Sequence, residues 1–393
     1  MQIWVIKLKL FKSHHLILFQ LIIVISSCSS LDNLRFWQSD EVDSDEPKKL
    51  MTFSDEKTLS VEWKNAYKGE NNIGNFIPDF SSQNLFFSDA SGQVISLDAN
   101  TGNENWSTEL NFLASGTAAG FGIVVVSDIQ GNVIALDQKD GSKLWSSNVK
   151  GEVLSKAAID AQIVVVKTGS GELLGLDKEN GDIQWSYRST LPLLTVRGSS
   201  SPVIEDDKVY VSFDNGRLGV FQINSGFPIW DGAISYVSGV SELENLIDSD
   251  SDPVIDGGLI YTTNYQGNLN IFDTTQKRSV WSYETSSFHS PVITRGMLTV
   301  VEADSEIRSF SLKTLQESWV SDDYKNRDLS NAVNFKGNMI IGDFEGYLHV
   351  IDTLNGRTIG RKKISRKPIK TVFSRSDSLY VVDEAFNLFS INL

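Results

Sequence analysis

The chain has 393 residues, 40% of them hydrophobic and 10% aromatic, which is ample for a large core. Its net charge is −15, and without Lys7, Lys9 and Lys12, which lie in a segment read below as removed, 32 basic residues face 50 acidic ones. Such an acidic chain has no electrostatic reason to seek nucleic acid or an anionic lipid surface, and its single cysteine, Cys28, excludes internal disulfides and cysteine-based metal sites.

Residues 1–27 have the parts of a secretion signal: early lysines, the apolar run Leu16–Ile25, then small residues. The run is short of the roughly 20 apolar residues that a membrane-spanning helix needs. It ends in Ile25-Ser26-Ser27-Cys28, which resembles the lipobox of bacterial lipoproteins. The resemblance implies cleavage before Cys28 and acylation of that residue, since several acyl chains anchor stably where one does not. Ser29, where aspartate favours inner-membrane retention in such lipoproteins, points to the outer membrane. The acidic stretch that follows carries Asp40-Glu41-Val42-Asp43-Ser44-Asp45-Glu46, so residues 28–58 are expected to form a lipidated, disordered tether.

From residue 59 onward the chain repeats itself about every 40 residues, the mark of an array. Gly92–Trp106, Gly131–Trp145 and Gly171–Trp185 are clean copies: a glycine, an alternating strand, Asp, a short polar turn ending in Gly, then a strand closed by Trp. An Asp side chain bonds amides just ahead of it and the Gly supplies positive φ. A closing Trp can bury about 150–250 Å² between units. An apolar strand precedes each hairpin, for example Ile123–Val126 and Ile163–Val166, and no helical period intervenes.

Later copies degrade. Gly216–Trp230 has Gln222 in the Asp place, Gly267–Trp281 lacks the second glycine, and Ser305–Trp319 has Ser311 and Leu315 at the Asp and Gly places. Gly346–Gly360 ends in glycine instead of Trp, and the last copy stops at Leu393 without a closing strand. Leu59-Ser60-Val61-Glu62-Trp63 supplies that strand at the other end of the chain. The predicted fold is therefore an all-β, eight-bladed β-propeller of four-stranded antiparallel blades over residues 59–393, closed by the N-terminal strand pairing into the last blade. Trp63, Trp106, Trp145, Trp185, Trp230, Trp281 and Trp319 are the expected blade-stacking residues.

The repeat resembles that of pyrroloquinoline-quinone-type propellers, shared by quinoprotein dehydrogenases and the BamB family of outer-membrane lipoproteins. The departures from the repeat separate the two. Successive closing Trp residues are 43, 39, 40, 45, 51 and 38 apart, so extra chain lies in two adjacent intervals. The first holds Leu194, Val196, Arg197, Gly198, Ser200 and Pro202, matching the Leu-x-Leu-Arg-Gly-x-Ser-x-Pro segment of the BamB family. The second holds Glu242 or Glu244, Leu246, Asp248, Asp250 and Pro253, matching Glu-Leu-x-Arg-Leu-x-Asp-x-Asp-x-x-Pro, with Asn245 where that pattern has arginine. The segment Tyr265-Gln266-Gly267-Asn268-Leu269 also fits.

In the BamB family these loops dock a periplasmic POTRA domain of BamA, the barrel-inserting subunit of the BAM complex. The resemblance thus implies a non-catalytic, lipid-anchored scaffold that assists insertion of β-barrel proteins. Leu194, Val196, Arg197, Asp248 and Asp250 become the expected BamA contacts; other BAM subunits and unfolded outer-membrane proteins are further expected partners. No cofactor, metal or catalytic residue is expected. Arg197 is alternatively an internal cap of the acidic loop, and Asp248, Asp250 and Asp252 alternate as calcium ligands do, though without the glycine and distal Glu of a dedicated loop. His289 and His349 read as strand or loop histidines. Two other functions stay open: a binding module of another envelope complex, and a quinoprotein dehydrogenase, against which the lack of a cysteine beyond Cys28 weighs.

Overall fold

Each repeat folds as one antiparallel sheet of four strands, and eight such sheets follow one another along the chain. A computed structural model describes residues 45–68, 74, 76–190, 200–234, 251–375 and 377–393. Within it Pro47–Leu393 form one unit, apart from Met1–Glu46. Blades 1 to 7 span 79–109, 118–148, 158–188, 203–233, 254–285, 292–321 and 333–363. Blade 8 is built from Ile369–Arg375, Ser378–Asp383, Asn387–Asn392 and, at its outer edge, Ser60–Ala66. The N-terminal strand pairs antiparallel with Asn387–Asn392, from Ser60 opposite Asn392 to Ala66 opposite Asn387. The expected closure of the ring is therefore present, and it leaves no blade short of a strand.

The burial pattern follows from the position of each strand. Second strands such as Ile123–Ser127 and Ile163–Lys167 are buried at every residue, because sheets pack on both of their faces. Outer strands such as Lys143–Asn148 bury only the tryptophan and leave the rest to solvent. A register shift precedes that Trp: Ala135 pairs with Trp145 and Leu136 with Lys143, so Leu144 is the extra residue of a β-bulge. The same shift occurs at the equivalent point of all eight blades, including Val61/Trp63 in the closing strand. The bulge aims the indole along the ring onto the next blade.

There it meets the turn glycine. The indoles of Trp63, Trp106, Trp145, Trp185 and Trp319 lie where a Cβ on Gly102, Gly141, Gly181, Gly226 or Gly356 would fall, and all five glycines have positive φ. Each of these indoles also donates Nε1–H to a carbonyl of that turn: Ala99, Gln138, Lys178, Ile223 and Thr353, at 2.8–3.2 Å. The two remaining tryptophans face turns that lack the glycine, with Lys277 and Leu315 in its place at positive φ. Trp230 and Trp281 make no such bond among the described residues. They pack instead on Phe272 and Phe310, with ring centroids 6.0 and 5.2 Å apart.

Blade 7 solves the loss of its Trp differently. A Cβ on Gly360 would fall 2.6 Å from the Lys57 carbonyl, so the N-terminal segment runs through the space the indole fills elsewhere. Glu56 and Lys57 donate their amides to the Ile359 carbonyl at 2.8 and 2.9 Å. Upstream, Arg327 donates to the Lys48 carbonyl (2.9 Å) and Arg361 to that of Met51 (2.8 Å), with the Arg361 guanidinium over the Phe53 ring. Of the tether expected over 28–58, the described part from Pro47 onward is thus laid against blades 6 and 7.

Candidate partner-docking site

The residues expected to touch a partner, Leu194, Val196, Arg197, Asp248 and Asp250, lie outside the described residues, as does Cys28. The structure describes what they are rooted in. Residues 191–199 connect the outer strand of blade 3 to the inner strand of blade 4; residues 235–250 make the same connection from blade 4 to blade 5. Both issue from the face that carries the turns between the second and third strands of each blade.

Each of these connections ends in a serine that ties it to the body. Ser200 Oγ donates to the Ser212 carbonyl at 2.9 Å and Ser251 Oγ to the Thr263 carbonyl at 2.6 Å. Ser115 and Ser330 hold the equivalent places in blades 2 and 7 and accept the amides of Ser127 and Gly342. In blades 4 and 5 the next residue adds a link of its own. The Ser201 amide donates to Asp252 Oδ1 at 2.5 Å, joining the ends of the two long connections directly. Asp252 is fixed from its other side by Ser290 Oγ, which donates to its carbonyl at 2.9 Å.

The surroundings are strongly electrostatic. Lys167, almost wholly buried, donates Nζ to Ser200 Oγ (2.7 Å) and to the Ser212 carbonyl (3.2 Å), and lies 3.8 Å from Asp214. Lys156 pairs with Asp79 at 3.1 Å. The Asp252 carboxyl is turned inward, and burial pushes it up to about 6 although the Ser201 amide, Lys156 and Lys167 pull the other way. A cavity of about 420 Å³ opens between blades 3 and 4, where both connections begin. Thr190, Asn215, Tyr187, Phe213 and Trp230 line it, beside an Arg217–Asp231 ion pair. Gly219, where blades 1 to 3 carry Ile95, Ile134 and Leu174, lies in its wall beneath the Phe213 and Phe221 rings. On the same face Tyr265, singled out in the sequence, stacks on half-exposed Phe288 with centroids 4.5 Å apart.

Sequence reasoning missed a second periodic feature. The turn between second and third strands opens on a buried polar residue, Asp89, Asp128, Thr168, Asp343 or Asp383, whose side chain accepts amides two or four residues ahead. The signal was visible as Asp three residues before the turn glycine in Asp89-Ala90-Ser91-Gly92 and Asp128-Ile129-Gln130-Gly131. It escaped notice because a polar residue beside an apolar strand reads as the start of a loop.

The histidines behave as expected. His349 is fully buried; Arg361 Nε donates to its Nδ1 at 3.0 Å, which leaves Nε2 to carry the proton and donate to Asp343 at 3.1 Å. His289 Nε2 lies 3.0 Å from the Leu329 carbonyl. No group of three His, Cys, Asp or Glu side chains placed to hold a metal occurs among the described residues.

Eight four-stranded blades, locked by Trp on Gly at five junctions and interrupted by two long connections tied together on one face, define a β-propeller. The sequence profile described as "Outer membrane protein assembly factor BamB" matches residues 90–321 and 280–389. The protein of that name from Pseudomonas aeruginosa is 34% identical over 327 residues, covering 82% of this chain and 86% of its own. The chain belongs to the BamB family. The crystal structure of BamB from Moraxella catarrhalis superposes with a TM-score of 0.79 at 22% identity, over 85% of this chain and 100% of that one. Quinohemoprotein alcohol dehydrogenase from Comamonas testosteroni gives 0.65 at 10% identity, over 85% of this chain and 76% of that one. The propeller alone therefore does not separate assembly factor from enzyme, and the sequence relationship is to the assembly factors.

Proposed function

We propose that the chain is a non-catalytic scaffold of the outer-membrane β-barrel assembly complex. In this reading Cys28 is acylated, the propeller faces the periplasm, and residues 191–199 and 235–250 dock a POTRA domain of BamA. Leu194 and Val196 supply the apolar anchor, and Arg197, Asp248 and Asp250 the polar rim that orients it. The observation that carries the reading is the bond between Ser201 and Asp252: the two family-matching connections end on one another. Two loops that bound independent ligands would have no need of a common root. Bound in this way, the scaffold holds BamA beside the membrane while other subunits and unfolded barrel proteins are handled around it.

The test is co-purification of BamA from detergent-solubilised membranes. Arg197→Ala and Asp248→Ala are each expected to reduce capture about tenfold or more, the loss associated with truncating one partner of a hydrogen-bonded interface charge pair. Full capture by both would refute the assignment of these loops. Cys28→Ala is expected to move the protein from the membrane to the soluble fraction.

A further inference from the structure

We propose that Lys167 and Asp252 are positioning residues for partner docking: they hold the ends of the two long connections at a fixed separation and so set the spacing of the side chains that meet the partner. The proposal rests on the docking reading above and goes beyond it, since neither residue is expected to touch the partner.

The argument starts from the repeat. At the end of the second strand blades 1 and 2 carry Ser88-Asp89 and Ser127-Asp128; blade 3 carries Lys167-Thr168. The fold does not need lysine there. In blade 1 a serine at this place suffices for a link to the next blade, with Ser88 Oγ donating to the Ser115 carbonyl at 3.2 Å. Thr168 keeps the turn in blade 3, because its Oγ1 accepts the Glu172 amide. The lysine is therefore an addition, a cation taken almost wholly out of water at a cost of several kcal/mol (about) before compensation. Its partners are Ser200 and the Ser212 carbonyl, with Asp214 nearby, all belonging to the end of the first long connection and the blade it enters.

Asp252 is the second addition. It follows Ser251, and its carboxylate reaches the amide of Ser201, fifty-one residues earlier, instead of capping its own turn. Through Ser290 the tie continues into blade 6. One chain of contacts thus runs from blade 3 through both connection ends to Ser290 at the entry of blade 6.

Covalent geometry makes that tie consequential. Arg197 is four residues from Ser201 and Asp250 two from Asp252. At no more than about 3.6 Å per residue, these docking residues stay within roughly 14 and 7 Å of their roots. Fixing the roots on one another therefore bounds the distance between the cation of one loop and the carboxylates of the other. A bidentate charge pattern read by a rigid partner depends on that distance.

The experiment measures the dissociation constant of full-length, detergent-solubilised chain for detergent-solubilised BamA at pH 7.5, beside the thermal melt of each variant. Asp252→Ala is expected to weaken binding about tenfold. Asp252→Asn keeps an oxygen that accepts the Ser201 amide and is expected to stay within about threefold of wild type. A merely structural carboxylate would not separate the two. Lys167→Met is expected to weaken binding about tenfold, and Ser201→Ala, which leaves the amide in place, to change nothing. If Asp252→Ala and Lys167→Met bind like wild type while Arg197→Ala does not, the positioning role is overturned and the docking reading stands. If Asp252→Asn is as weak as Asp252→Ala, the amide link is also overturned. If Arg197→Ala and Asp248→Ala bind like wild type as well, the docking reading itself fails.

Discussion

Removing the N-terminal strand tests the closure of the ring. Leu59 is 2% exposed and packs with Ile359, Phe389 and Ile391 in the core of the last blades. Replacing it with Ala removes a buried leucine side chain, worth about 2–5 kcal/mol including the cavity left behind. Deleting residues 59–65 also removes Trp63 from Gly102 and Tyr380, its bond to the Ala99 carbonyl, and the Asn65 bond to the Gly102 carbonyl. Loss of a packed Trp adds about 3–5 kcal/mol, so the deletion should cost roughly 5–10 kcal/mol. For a unit of this size the unfolding entropy is about 0.7 kcal/mol/K on the usual per-residue scale. Differential scanning calorimetry should then show Tm lower by about 3–7 °C for Leu59→Ala and by about 7–14 °C for the deletion. Glu62→Ala, on an exposed residue of the same strand, should shift it by less than about 1 °C. The deletion should also expose the edge of Asn387–Asn392 and promote association at high concentration. If the deleted protein melted like wild type and stayed monomeric, the ring would not depend on this strand and the argument would fail.

Other consequences follow from the same contacts. Gly181→Ala would place a Cβ 2.5 Å from the Trp145 ring at a positive φ, and should cost about 2 kcal/mol or more with a red shift of tryptophan fluorescence. Lys277→Gly relaxes an exposed residue held at φ 55° and should instead stabilise by about 0.5–1 kcal/mol in chemical denaturation. The folded-state Asp252 carboxyl titrates at about 6 and the unfolded one near the ordinary aspartate value of about 4. The folded state therefore holds the extra proton between those values, so this group's contribution grows more favourable as pH falls from 7 to 4 and is lost above 6. Asp252→Asn should accordingly raise stability at pH 8 by up to about 3 kcal/mol and by little at pH 4.5. Burial lowers His349, although Asp343 opposes the shift, so the unfolded chain takes up its proton first and stability should decline as pH falls below about 6.5. His349→Gln should flatten that decline in urea titrations between pH 7 and 5.

Much of this was legible because the fold is periodic. A Gly, an alternating strand, an Asp turn and a Trp recur often enough that even blade 6, with Ser311 and Leu315 in the wrong places, could be counted, and the orphan strand ending in Trp63 could be assigned to the last blade. The stacking role of Trp was likewise readable, but not its target. That five of the seven indoles land on the turn glycine of the next blade depends on a bulge one residue earlier, and a bulge leaves no compositional mark. The same limit hid the packing of Pro47–Thr58, since a polar, acidic segment reads as tether unless one knows that Gly360 has vacated a Trp site and that Arg327 and Arg361 wait on blades 6 and 7. The inner Asp turn is hard to read for the opposite reason: Asp before Gly is so ordinary in turns that its recurrence does not stand out.

The departures from the repeat also explain one another. Trp locks successive blades at the outer rim, and it does so wherever the next turn keeps its glycine. At the junction of blades 4 and 5 the glycine has become Lys277, and Trp230 has lost its carbonyl partner. That junction carries the longest insertion in the chain, and there the inner-rim tie from Ser201 to Asp252 is found. A ring weakened at its outer rim and reinforced at its inner one can accommodate a large insertion without letting the neighbouring blades shift. The reinforcement uses a buried carboxylate, and the raised titration point of Asp252 shows that it costs stability at neutral pH. An uncharged hydrogen-bonding residue would close the same gap more cheaply. What the carboxyl contributes is the oxygen that accepts the Ser201 amide, a defined geometry at the base of the two loops that stability alone does not demand.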